Sequence, residues 1–311
     1  MKVIMYHYVQ EYDPEFPNFY YLDFKNFKKQ LDYFEEKYGF VTPEEWSKFI
    51  GFGIPPQSQS KILLTFDDGL ACHYNFVFKE LMKRGLWGIF YVPTLSLVSN
   101  KILDVHLVHL LIGKYDPSIV LLHLRNLINN SMIPDSKVKS FKEMTYNRQI
   151  NSDDETTIKR ILNYFIDYSY RKDVLSKLGR LLGFTSDDKG FYMTIEQLIE
   201  MQKSGMVIGS HTHSHPLMSK LSYDEQEYEI IESIRILDNI GIKNPQRTYC
   251  HPYGGKHSYN TSTINILRKN HVTYAFDVNP VDLDNYFESL LALPRYDCNQ
   301  FPFGSVSNRK G

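Results

Sequence analysis

The sequence predicts an α/β fold, a parallel sheet or barrel interrupted by one helical insertion. Three observations predict it. Short β-rich runs alternate with helical patterns along most of the 311 residues, the order that sets helices between parallel strands. Residues 101–190 depart from this, with helical periodicity and no convincing strand. The length fits about two domains of ~150 residues, or a barrel of about 250 residues carrying an insertion.

The first strand is expected at Lys2–Tyr8. Its surroundings, Met1–Val9, lack the long apolar core and cleavage site of a secretory peptide, so a cytoplasmic chain is expected. Asp23 reads as the cap of a helix with Phe24, Phe27, Leu31 and Phe34 on one face, ending near Gly39. Strands are expected at Lys61–Phe66 and Trp87–Val92, with Gly85 closing the helix between them. In the insertion, Ile158, Ile161, Leu162 and Phe165 form one apolar stripe, and Val174, Leu178 and Leu181 another. His106 and His109 read as the polar edge of a helix, and Asn151–Thr157 and Ser186–Gly190 as loops. Capping-box spacings begin helices at Thr194 and Ser222, and Gly205 and Gly241 stand where helices should end. The remaining strands are expected at Met206–Ser210, Arg247–Cys250, Val272–Phe276 and Leu290–Pro294.

Composition narrows the function. With 42% hydrophobic and 23% charged residues the chain is an ordinary globular one, and 23 Tyr and 20 Phe can fill a large core. A net charge of −1 provides no field to gather nucleic acid or an anionic membrane. No run approaches the ~18 apolar residues of a membrane span. Cys72, Cys250 and Cys298 are too few and scattered for a disulfide framework or a thiolate zinc site.

Two segments carry chemistry. Thr65-Phe66-Asp67-Asp68-Gly69 follows a buried strand, and two neighbouring carboxylates there resist ionising together unless a cation compensates them. As a local pattern, Asp-Asp-Gly also makes a good turn. Ser210-His211-Thr212-His213-Ser214-His215 follows another strand. His211 and His215 share a face, and imidazoles joined by a carboxylate are ligands for zinc or another late divalent metal.

Together these segments resemble the first two motifs of the polysaccharide deacetylase family, the NodB-homology carbohydrate esterases. The resemblance implies a distorted (β/α) barrel formed by residues 1–100 and 191–311, with the mainly helical insertion at 101–190. It implies a divalent metal, zinc before others, held by Asp68, His211 and His215, with Asp67 as catalytic base. His213 falls at a variable motif position and is not assigned to the metal. The third family motif, Arg-x-Pro-aromatic-Gly, matches Pro252-Tyr253-Gly254, which implies that the Tyr253 backbone N–H serves the oxyanion. Cys250 stands where the family has its base-steadying Arg. The final family His has no counterpart in Leu291–Asp297, where Arg295 or Asp297 is expected to take over, by charge stabilisation or by holding a partner. His213 and His251 remain candidates for the proton donor.

The expected function is a metal-dependent hydrolase that removes the N-acetyl group of an amino sugar. A nucleotide-linked or lipid-linked precursor of O-antigen, capsule or lipopolysaccharide is the expected substrate. Two alternatives stand beside it: a deformylase or other C–N amide hydrolase, and a catalytically silent metal-binding barrel that holds a glycan or a partner.

Overall fold

Apolar runs bounded by turn residues pair into one parallel sheet. The computed structural model describes residues 1–56, 60–99, 101–142, 145, 151–185, 190–283 and 289–308. Its strands are β1 (Lys2–Tyr6), β2 (Val9–Gln10), β3 (Leu22–Asp23), β4 (Ile62–Phe66), β5 (Ile89–Val92), β6 (Val207–Ser210), β7 (Thr248–Cys250), β8 (Tyr274–Phe276) and β9 (Tyr296–Asp297). β2 and β3 pair only with each other, and the other seven form a sheet in the order β8-β7-β6-β5-β4-β1-β9, parallel at every step. Sheets of this kind bury both faces, and β4 and β5 are buried along their whole length.

Alternation along each strand divides the core in two. Ile4, Tyr6, Leu64, Phe66, Phe90 and Val92 pack toward the helix Phe24–Lys37 side, with Phe27, Leu31 and Phe34. Val3, Leu63, Ile89, Tyr91, Tyr274 and Phe276 point the other way and meet Trp46 and Phe49 of the helix Pro43–Phe52. That inner side is tight: a Cβ on Gly209 would lie 2.5 Å from the Tyr91 ring and 2.8 Å from Thr248. Glycine there lets the Tyr91 and Thr248 hydroxyls bond at 2.7 Å.

The sheet curls because one late segment touches both of its ends. Leu293 bridges Phe276 in β8, and three and four residues later Tyr296 and Asp297 pair with Ile4 and Met5 in β1. This corrects the strand expected at Leu290–Pro294. Leu290–Ala292 is a 3₁₀ turn begun by Ser289, whose side chain accepts from the Leu291 N–H. Pro294 has no N–H to donate to a ladder, so regular pairing resumes only after it.

Helix ends follow the local chemistry. Asp23 accepts from the Lys25 N–H, and Thr194 and Ser222 form reciprocal capping boxes with Gln197 and Glu225. Asn151–Thr157, expected as a loop, contains a helix start: Ser152 and Glu155 form another capping box on the helix Asp153–Lys159. Its Ser-x-x-Glu signature is the same pattern read correctly elsewhere. Of the loop expected at Ser186–Gly190, residues 186–189 lie outside the described ones.

The chain divides into two compact units. Met1–Glu11, Tyr21–Asn100 and Lys189–Val306 form the unit that holds the sheet, and Tyr12–Tyr20, Lys101–Asp188 and Ser307–Gly311 form the other. The second is built on the helices Asp104–Lys114, Pro117–Leu127, Asp135–Phe141, Asp153–Lys159 and Tyr168–Leu181, and a π-helical turn at Arg160–Phe165. Val108, Leu111, Val120, Leu124, Ile158, Leu162, Val174 and Leu178 share its core. Leu181, expected on the buried stripe, is 55% exposed, while His106, expected at a polar edge, is fully buried. Among the described residues no helix is long and apolar enough to cross a membrane.

Candidate active site

Parallel strands aim their C-terminal ends the same way, so the residues that follow them gather at one rim. His7 follows β1, Asp67 and Asp68 follow β4, His211 follows β6, His251 follows β7, and Asp277 follows β8. Main-chain bonds carry the pairing just past the strands: Asp67 N–H donates to Tyr6 O at 2.9 Å, and His211 N–H to Val92 O at 3.0 Å.

At this rim Asp68 Oδ1 lies 3.5 Å from His211 Nε2 and 3.3 Å from His215 Nε2. A tetrahedral ion with ligands at ~2.1 Å has ligand-to-ligand edges of about 3.4 Å. All three side chains are buried. His211 Nδ1 sits 2.8 Å from the Cys250 carbonyl, which can only accept, so Nδ1 carries the proton. Burial, then the neighbouring His215 ring, pulls the His211 pKa down to about 4. A neutral ring therefore turns the Nε2 lone pair toward a carboxylate oxygen, and among the described residues Nε2 has no hydrogen-bond partner. Two lone pairs facing each other in a buried site call for a cation between them. The donor set fits a divalent metal.

Backbone strain gathers at the same place. Asp68 (φ 82°), Thr212 (φ 66°), His215 (φ 59°) and Tyr253 (φ 64°) all adopt the left-handed region that favours glycine, a conformation kept where the surroundings over-determine it.

Asp67 has a different environment. Arg295 grips it with two parallel bonds, Nη1 to Oδ1 and Nη2 to Oδ2, both 2.8 Å. The same guanidinium donates from Nε to Asp277 O at 3.1 Å, from Nη1 to Thr65 Oγ1 at 3.1 Å, and from Nη2 to Cys250 Sγ at 3.0 Å. Arg295 is 1% exposed and Asp67 2%. Burial alone would raise the Asp67 pKa, but the charge and hydrogen bonds of Arg295 outweigh it and hold the carboxyl at about 2. Asp67, His211 and Cys250 also lie close enough to share an ion. That set is the poorer one, because both Asp67 oxygens serve Arg295 and burial keeps the Cys250 thiol protonated.

Residues 183–275 match the family profile described as polysaccharide deacetylase. That stretch of the chain is similar to the family. No curated protein sequence matches this chain. Solved structures share its fold. The Streptococcus pyogenes deacetylase PplD in complex with acetate is 19% identical over 96% of this chain and 91% of its own, with a TM-score of 0.56. IcaB from Ammonifex degensii is 19% identical over 94% and 89%, with a TM-score of 0.56. A de-N-acetylase from Aggregatibacter actinomycetemcomitans is 15% identical over 94% and 93%, with a TM-score of 0.54.

The remaining residues singled out in the sequence scatter in role. Tyr253 lays its ring 5.1 Å from the His215 ring, at the rim. His213 turns its Nδ1 to Thr94 Oγ1 at 3.0 Å and its ring to Tyr228, away from the ligand atoms. His251 bonds Leu291 O through Nε2 at 2.9 Å and stacks on Tyr259 at 3.9 Å. Asp297 caps the 3₁₀ turn Cys298–Gln300. Two rim residues escaped the sequence reading. His7 places Nε2 4.0 Å from Asp68 Oδ2 with its side chain 40% exposed. Asp277, raised to about 6 by burial, accepts from Tyr259 Oη at 2.9 Å. The signal for both was position alone, one residue beyond a buried strand.

Proposed function

We propose that the protein is a deacetylase that removes the N-acetyl group of an amino sugar with a divalent metal, zinc before others, at Asp68, His211 and His215. The observation that carries this reading is an arginine-clamped carboxylate beside two imidazoles and a second carboxylate spaced like the edges of a tetrahedral site. When bound, such a metal supplies Lewis acidity to the acyl carbonyl and acidifies water.

The side chains divide the rest of the work. Asp67 stays ionised at any working pH because of Arg295, and it takes the proton of the attacking water. The guanidinium fixes the orientation of the carboxylate, so it faces the substrate without searching for a rotamer. The Tyr253 N–H, at the rim beside His215, stabilises the charge that develops on the carbonyl oxygen. His7 is the proton donor to the departing amine, being the partly exposed imidazole beside Asp68. His213 and His251 are held by Thr94 and Leu291 instead. Replacing His7 by Gln should lower turnover by roughly 10²-fold, the lower end for general acid catalysis, with bound zinc unchanged by metal analysis.

The substrate proposed is an amino sugar in nucleotide-linked or lipid-linked form, as surface-glycan assembly would use. The deciding assay offers N-acetyl and N-formyl amino sugars as free oligosaccharide, nucleotide-linked and lipid-linked forms. Acetate release that a chelator abolishes and zinc restores is expected. Formate alone would make the protein a deformylase. No release from any form, with zinc bound, would leave the reading of a catalytically silent glycan-binding barrel, consistent with Cys250 at the family's Arg position.

A further inference from the structure

We propose that Glu229 is the positioning residue that holds the histidine loop in its ligand-presenting conformation, a role that rests on reading His211 and His215 as metal ligands. Glu229 lies within the helix Tyr223–Asn239 and is 7% exposed. Its Oε2 accepts the backbone N–H of His213 at 2.9 Å and of Ser214 at 2.7 Å, and its Oε1 accepts the Ser214 hydroxyl at 2.5 Å. A buried carboxylate accepting three hydrogen bonds from two consecutive residues fixes the peptide between them, and bonds to an ionised acceptor are the stronger kind.

The loop needs such a hold. Thr212 and His215 flank the gripped peptide, and both sit at positive φ, a conformation a free loop would leave. The other side of the loop is pinned as well: Thr94 N–H donates to Thr212 O at 3.1 Å and Leu95 N–H to His213 O at 2.8 Å. One helical turn beyond Glu229, Ser233 extends the grip. Its hydroxyl donates to Ile230 O, so it accepts from Ser210 Oγ at 2.6 Å, and Ser210 Oγ in turn accepts the Thr212 N–H at 3.2 Å. Glu229 and Ser233 thus hold the loop from one helix face. Glu229 is no ligand itself, since its oxygens are spent on the loop and it belongs to neither group of residues able to share an ion.

The test titrates zinc alone into metal-stripped, full-length protein and follows amide hydrogen exchange at His213 and Ser214. Glu229→Ala should weaken zinc binding 10–100-fold, the usual effect of losing a group that orients a ligand, and should speed exchange at both amides before any metal is added. Glu229→Gln should restore most of the affinity, because its carbonyl can accept both N–H groups while its amide donates to Ser214 Oγ. Ser214→Ala, which keeps both main-chain bonds, should lose less than Glu229→Ala and serves as the second measure if the alanine variant does not fold. A folded Glu229→Ala protein that binds zinc as tightly as the wild type overturns the proposal alone. Equal losses in Glu229→Gln and Glu229→Ala overturn it too, since orientation would then not be the cause. Wild-type protein that binds no zinc overturns the ligand reading and this proposal together.

Discussion

Asp67→Asn is expected to keep its metal and lose turnover by roughly 10²–10⁴, the worth of a positioned general base. Asp68→Asn should instead lose metal, because a neutral amide is a poorer ligand and removes a charge that offsets the cation. The two residues are neighbours in sequence with different partners in space: both Asp67 oxygens face Arg295, while Asp68 Oδ1 faces His211 and His215. Metal analysis and acetate release on both variants give a two-by-two comparison. If Asp67→Asn loses metal as readily as Asp68→Asn, the ion occupies the set formed by Asp67, His211 and Cys250, and the assignment of base and ligand is wrong. If it keeps both metal and full turnover, the base lies elsewhere.

Arg295→Met should be the most destabilising substitution at the rim. Removing one partner of a buried pair leaves the other charge uncompensated and costs about 3–5 kcal/mol, and both side chains are almost fully buried. The pH dependence has a definite sign. In the wild type the Asp67 carboxyl lies below its ordinary value of 3.8, at about 2. The pair therefore contributes stability above pH 3.8 that is lost as pH falls through 2. Without Arg295, burial dominates and raises the carboxyl above 3.8, so the folded protein binds the extra proton. The stability deficit of Arg295→Met should then shrink as pH is lowered toward 5 and grow toward 8. The double variant Asp67→Asn/Arg295→Met should recover much of the loss. Urea denaturation at several pH values reads both effects, and additive losses in the double variant would show that Arg295 merely packs.

What the sequence discloses depends on how local the cause is. The strands before Asp67 and His211 declare themselves through continuous apolar runs, and the helix starts at Thr194 and Ser222 through four-residue signatures. The closing strand does not. Tyr296–Asp297 is two residues long, and the 3₁₀ turn before it is apolar enough to pass for a strand. The sequence singles out Arg295 but not its partner, for a related reason. Its contact with Asp67 spans 228 positions, so no window of sequence contains both. Cys250 marks the position where the family motif has an arginine, but only the fold shows a guanidinium arriving there from the segment just before β9, 3.0 Å from the thiol. His7 falls inside the expected strand Lys2–Tyr8, and a single histidine carries no pattern until β1 ends at Tyr6 and the sheet places it near Asp68.

The curled sheet also sets an order of events. The segment that joins β8 to β1 is made late, since synthesis runs from the N-terminus, and its pairing with β1 closes nearly the whole length of the chain, the kind of long-range contact that forms slowly. Until Leu293–Asp297 docks, Asp67 has no guanidinium beside it, and in a collapsing interior it would hold a proton. A chain folded except for that segment would already own the two histidines and Asp68 proposed to hold a metal, yet it would carry an acid at Asp67 where the proposed reaction needs a base. Closure of the sheet is thus the step that sets the charge of Asp67.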